Sequence, residues 1–229
     1  SSHEVAQGYK DIVDPSIYVR FPLKDEEGVY FMAWTTTPWT LPGNAALAVN
    51  PTAHYVQVEH PTEDGGTEQL ILAEALVDKV LGALEEGEER QIVKRYLGKD
   101  LLGKRYNPLY NFVATDKDYA YVLSGDFVTL GDGTGIVHIA PAFGEDDNRV
   151  GRDHDLPYFM TVTDNGRMID AVDKFKGMWF KDADKEIVKD LKKRGLMYKV
   201  EQYLHSYPHN WRDDMPLMYL ARETWFINT

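Results

Sequence analysis

Val29-Tyr30-Phe31-Met32-Ala33-Trp34-Thr35-Thr36-Thr37-Pro38-Trp39-Thr40-Leu41-Pro42-Gly43-Asn44 is the stretch on which the fold turns. Its first six residues are mostly apolar and alternate poorly, the pattern of a strand covered on both faces. Three hydroxyls follow, then a proline that keeps the residue before it out of a helix. A second stretch repeats the plan. Ile136 to Ala140 is a short apolar strand, preceded by Gly131-Asp132-Gly133-Thr134-Gly135 and followed by Pro141-Ala142-Phe143-Gly144 and three acids, Glu145-Asp146-Asp147. Both strands deliver polar groups at their carboxyl ends, so the two stretches read as halves of one site.

Working outward, Ile17 to Leu23 is a strand by alternation, with a charged turn, Lys24 to Gly28, leading into the threonine-bearing strand. Ala45 to Val49 is another short apolar strand. Tyr55 to Glu59 is expected to pair with Gln69 to Ala73 across the turn Asp64-Gly65-Gly66. Glu74 to Leu84 suits a short helix with Leu76, Val80, Leu81 and Leu84 on one face. Gln91 to Leu97 and Tyr119 to Leu123 are further strands. Glu145 opens a helix that runs to about His154, with acids opposing its positive end. The clearest helix is Asp182 to Arg194, with Asp182 as cap and Gly195 as stop. Many short strands and few helices predict an α+β, mostly β domain on a barrel-like sheet with a few peripheral helices.

The 229 residues suffice for an ordinary apolar core, with 14 tyrosines and 5 tryptophans as bulky filling. The absence of cysteine removes disulfides, thiol nucleophiles and thiolate metal sites, and fits a cytoplasmic protein. No apolar run approaches a membrane span and no signal-peptide pattern opens the chain. A net charge of −12 argues against broad, phosphate-driven nucleic-acid binding, yet leaves room for a domain that receives only the tip of a nucleic acid held elsewhere. The start at Ser1-Ser2-His3 and the apolar end from Leu217 to Ile227 suggest a piece of a larger protein, expected to be a monomer.

Each candidate group has a plain alternative. Thr35 and Thr37 share one side of a strand and Thr36 the other, so two hydroxyls can hold a water and a ligand oxygen without adding charge. Threonine is also simply a common strand residue. Asp147 can pair with an ammonium, or merely solvate a helix start. His138, inside an apolar strand, reads first as a packed core histidine. Gly98 to Arg105 has nearly the spacing of a phosphate loop but lacks the Ser or Thr that reaches magnesium; a turn with a hydrophobic plug fits better. Pro208 between His205 and His209 spoils helical metal-ligand geometry. The five serines have no base beside them, so hydrolysis, if catalysed here, uses a bound water.

The two long stretches resemble the editing domain of the class I aminoacyl-tRNA synthetases for isoleucine, valine and leucine. The resemblance runs from Glu4-Val5-Ala6-Gln7-Gly8-Tyr9-Lys10 through Pro15 to Pro22, and ends with Leu204 to His209 and Trp225-Phe226-Ile227. Within the group, Thr35-Thr36-Thr37-Pro38-Trp39-Thr40-Leu41-Pro42 is similar to the isoleucine enzymes; the valine and leucine enzymes usually carry Arg at the place of Thr37 and an acid at that of Trp39.

The resemblance implies a domain inserted in a nucleotide-binding catalytic domain: 1–16 as a linker strand, 17–200 as the editing domain, 201–229 as the return segment. It implies hydrolysis of valine wrongly attached to the isoleucine tRNA, with valyl-adenylate as a second target, and the valine-bearing 3′ end of that tRNA as partner. By resemblance Asp147 binds the α-ammonium. Trp34, Thr35, Thr36 and Thr37 line the pocket, joined by Ala140 and Phe143, and Thr40 and Asn44 shape it. His138 lies near the amino-acid side chain, as a wall or as a proton carrier. No cofactor is implied for this segment; ATP belongs to the parent enzyme. Isoleucine enzymes often carry zinc-site cysteines where Asn210 and Asp213 stand here, so a zinc site is not expected in this chain. As a general figure, for which isoleucine against valine is the standard case, one methylene discriminates by only about 1–3 kcal/mol, so a second, excluding pocket is needed. Two other readings stand beside this one: a non-catalytic module that captures an amino-acid-like cation, and a valine-enzyme editing domain that clears threonine.

Overall fold

The computed structural model describes residues 9–210 and 215–221. Glu4 to Gly8, Asp213 and Trp225 to Ile227, used in the comparison above, lie outside the described residues.

The order of elements is β1 (Tyr9–Pro22), β2 (Val29–Thr35), β3 (Ala46–Val49), β4 (His54–Pro61), β5 (Thr67–Ala73), α1 (Val77–Leu81), β6 (Ile92–Leu97), β7 (Tyr121–Ser124), β8 (Ile136–Ile139), α2 (Glu145–Asp153), α3 (Phe180–Lys193) and β9 (Met197–Pro208). A six-stranded sheet runs β6-β4-β5-β2-β1-β9 and a three-stranded sheet runs β7-β3-β8. The mostly β, α+β class holds, but among the described residues the strands form two sheets and no closed ring, where a barrel-like sheet was expected.

The covered strand expected from Val29 is β2. It lies between β1, antiparallel, and β5, parallel, and Phe31, Met32 and Ala33 are buried. Its apolar run is continuous because both of its faces meet core. The β4–β5 hairpin forms in the expected place, with Tyr55 opposite Ala73 and Gly65 at φ +85° in the turn. Arg20 of β1 reaches across β2 to Glu68 of β5, its Nε and Nη2 each donating at 2.7 Å to a carboxylate largely shielded from solvent.

Three expectations need correction. Glu74 to Leu84 is not one helix: a 3-10 turn at Glu74–Leu76 precedes α1, and Gly82 at φ +88° stops it at Leu81. The long helix begins at Phe180 after Trp179, with no side-chain cap, so Asp182 does not cap it. The apolar residues Phe180, Ala183, Ile187 and Leu191 are buried on α3, and burial of that stripe fixes the start two residues earlier than cap chemistry suggests. The threonine-bearing strand ends at Thr35, and Thr36 and Thr37 lie beyond it. Within Gly98 to Arg105, Gly98–Leu101 is a 3-10 turn with Leu101 fully buried, the plug expected there.

Candidate active site

The site grows from the end of β2. Pairing with β1 stops at Ile17 opposite Thr35, and the chain turns on its own side chain: Thr37 N–H donates to Thr35 Oγ1 at 3.1 Å. The two hydroxyls stand 3.3 Å apart. They meet, as expected, but a hydroxyl-closed turn brings them together, not strand alternation. Pro38–Gly43 then forms a buried 3-10 helix. Its Thr40 hydroxyl donates to Thr37 O at 2.8 Å and lies 3.4 Å from Thr37 Oγ1. Thr35, Thr37 and Thr40 thus form a row of hydroxyls, with Thr36 half-buried at the bend.

His138 comes from β8, opposite Leu47 of β3. Its Nε2 is 2.8 Å from Thr40 Oγ1 and its Nδ1 is 3.3 Å from Asn44 Nδ2. The proton directions follow. Thr40 spends its hydrogen on Thr37 O, so His138 Nε2–H donates to Thr40. Asn44 Nδ2 donates to Ala46 O at 2.9 Å and to His138 Nδ1, while Asn44 Oδ1 accepts from Tyr106 O–H at 2.6 Å. Both nitrogens of the ring are engaged in its neutral form, and burial lowers its pKa to about 4. At neutral pH His138 carries no charge.

Asp147 sits in the first turn of α2. Its Oδ2 accepts from the Ala140 amide at 2.8 Å, just past the end of β8. Burial raises its carboxyl to about 6; the Ala140 amide works against that rise and Asp146 adds to it. Ala140 is two residues from His138, so one strand end carries both the donor to the hydroxyl row and the donor to the aspartate. A cleft of about 410 Å³ opens along α2, lined by Gly144, Glu145, Asp146, Asn148, Arg149 and Arg152 and by residues 219–221; neither Asp147 nor the hydroxyl row lines it.

The remaining pocket candidates, Trp34, Phe143 and Ala140, make packing contacts. The Trp34 ring stacks edge-on to Tyr203 at 5.1 Å, and its Nε1 is buried with no hydrogen-bond partner among the described residues. Gly133, at φ +71°, lies flat on that ring, where a Cβ would come within 3.1 Å of it. Gly135, at φ +73°, presses on Ala73, where a Cβ would stand 2.4 Å away. The Gly-Asp-Gly-Thr-Gly run is therefore a packing device. Phe143 packs edge-to-face on Trp39 at 5.0 Å, and Ala140 is buried.

Two participants escaped the sequence reading. Tyr106 left no local signal. Asp184 did: an acid on the apolar stripe of a helix asks for a buried donor, and Asp184 Oδ1 accepts from Trp39 N–H at 2.7 Å. Its carboxyl is raised to about 7 by burial, against which Lys181 and the Trp39 amide act.

The architecture is that of aminoacyl-tRNA synthetase editing domains. The editing domain of the P. knowlesi cytosolic leucyl-tRNA synthetase superposes with a TM-score of 0.63 at 14% identity, covering 86% of this chain and 99% of that one. A P. falciparum counterpart gives 0.59 at 12% identity, covering 82% and 99%. In sequence the chain is similar to a segment of the isoleucine–tRNA ligases. It is 49% identical to that of Clostridium acetobutylicum over 227 residues, and 49% identical to that of Thermus thermophilus over 232. The matches cover 99% of this chain and 21% of the relatives, so the chain spans about a fifth of their length. No protein-family model matches the chain.

Proposed function

We propose that the chain hydrolyses valine wrongly esterified to the 3′ end of isoleucine tRNA, acting in the cytoplasm as a monomer, with valyl-adenylate as a second substrate. The observation that carries this reading is the joining of the hydroxyl row and Asp147 through one strand end: Thr40 to His138 by one bond, Ala140 to Asp147 by another. Asp147 binds the α-ammonium. A carboxylate that burial has made costly to ionise regains that cost when a cation arrives, which favours an amine over a neutral ligand. Anchoring the amine fixes the ester carbonyl. Thr35 and Thr37 hold the attacking water and the ribose oxygen. The water oxygen bonds to the carbonyl carbon, the ester C–O bond breaks, valine leaves as the free acid, and the ribose oxygen recovers a proton. His138, neutral and engaged at both nitrogens, serves as wall and strut and not as the proton carrier. Thr40, held by His138, bounds the space that an isoleucine side chain would need.

Incubation of the chain with valyl- and isoleucyl-charged isoleucine tRNA tests this. Release of valine well ahead of isoleucine is expected. Equal release, or none beyond spontaneous hydrolysis, contradicts it.

A further inference from the structure

The 3-10 helix Pro38–Gly43 has no cap of its own. Thr37 precedes it without a side-chain cap bond, its hydroxyl facing Thr35 and Thr40 instead. Pro38 has no N–H, so the Trp39 amide is the first donor of that turn left over. It is satisfied from far along the chain. Asp184 of α3, only 4% exposed, places Oδ1 2.7 Å from that nitrogen. It does so from among the buried residues Phe180, Ala183, Ile187 and Leu191, where an acid has no use in solubility. The Trp39 ring is wedged between Phe180 of α3, at 4.9 Å, and Phe143, at 5.0 Å. Phe143 lies four residues before Asp147, on the segment that leads into α2. One contact therefore bears on both halves of the site.

We propose that Asp184 is a positioning residue for the hydrolysis: by capping the Trp39 amide it holds the Thr37–Thr40 turn, and through Trp39 and Phe143 it sets that turn against the aspartate-bearing helix. This rests on the hydrolytic reading above. Asp184 touches no substrate; what it fixes is where the hydroxyls stand. An amide oxygen can take the same bond, whereas a methyl group cannot.

Asp184→Asn and Asp184→Ala are compared with the wild-type chain in two measurements. The first is hydrogen exchange of the Trp39 amide, with the amide resonances of Thr35, Thr37 and Thr40. The second is release of radiolabelled valine from charged isoleucine tRNA, resolved into kcat and KM. The alanine variant is expected to lose Trp39 protection, to shift the three threonine resonances, and to drop about tenfold in kcat with KM little changed. The asparagine variant restores protection and returns kcat to within about threefold. A protected Trp39 amide in Asp184→Ala, or an asparagine variant as defective as the alanine one, overturns the proposal. A wild-type chain that releases no valine overturns the hydrolytic reading instead, and the exchange data then decide the positioning claim alone.

Discussion

His138 Nε2 stands 2.8 Å from Thr40 Oγ1, and because Thr40 has already given its hydrogen to Thr37 O, the ring is the donor. A histidine found next to a hydroxyl is usually read as a base. Here the direction of every neighbouring bond makes it a strut. The pH profile of valine release should therefore be the same in His138→Gln as in the wild-type chain, its acid limb belonging to Asp147, whose carboxyl burial raises to about 6. A pH–rate profile checks this; an inflection near 6.5 that vanishes in His138→Gln would return the proton-carrier role to the ring.

In the proposed reading, Thr40 and Thr37 bound the space that an isoleucine side chain would need. Thr40→Ala or Thr37→Ala should raise hydrolysis of isoleucyl-tRNA by about tenfold or more, since shortening a wall relaxes a steric exclusion. Single-turnover deacylation of both charged tRNAs measures it. Isoleucyl-tRNA left untouched by both variants would count against the steric account.

Stability should carry opposing pH trends. Asp147 and Asp184 have folded pKa values of about 6 and about 7, above the ordinary 3.8. A raised acid stabilises the fold while protonated, so each favours folding below about pH 4 and loses that advantage as pH climbs toward its folded value. His138, lowered from 6.5 to about 4, works the other way: its contribution is whole above 6.5 and is lost as pH falls toward 4. Asp184→Asn removes one acid while keeping an acceptor for Trp39. It should gain about 1–3 kcal/mol at pH 8 and little at pH 4. Urea unfolding across that range decides it, and an equal change at both pH values would show that the charge is not what costs stability.

Tyr106 is 1% exposed and its hydroxyl serves Asn44 Oδ1. Tyr106→Phe should cost about 1–3 kcal/mol, the general cost of a buried acceptor left unmet. Unfolding midpoints measure this, and a neutral result would mean that water or a rotated Asn44 replaces the bond.

The strands around this site could be read from alternation and turns because they follow local rules. β2, the β4–β5 hairpin and α2 come out where Val29, Asp64 and Glu145 place them. The helix start at Phe180 did not, because burial of an apolar stripe outweighs the capping preference of Asp182. Thr35, Thr37, Thr40, His138 and Asn44 were all named in advance, and the structure joins them. Tyr106 was not, since its bond to Asn44 spans 62 positions and nothing near Tyr106 announces it. Asp184 could have been found, by asking what an acid does beside Ile187 and Leu191. Barrel closure was beyond reach, because pairing between distant strands leaves no mark on either one alone.

The central claim is that the carboxylate of Asp147 grips the ammonium of the misplaced amino acid. The most direct measurement is valine release from charged isoleucine tRNA by Asp147→Ala beside the wild-type chain, with thermal melting of both. The account predicts a loss of about a hundredfold or more in the rate, with the fold retained. Wild-type release rates from a folded Asp147→Ala chain would contradict it.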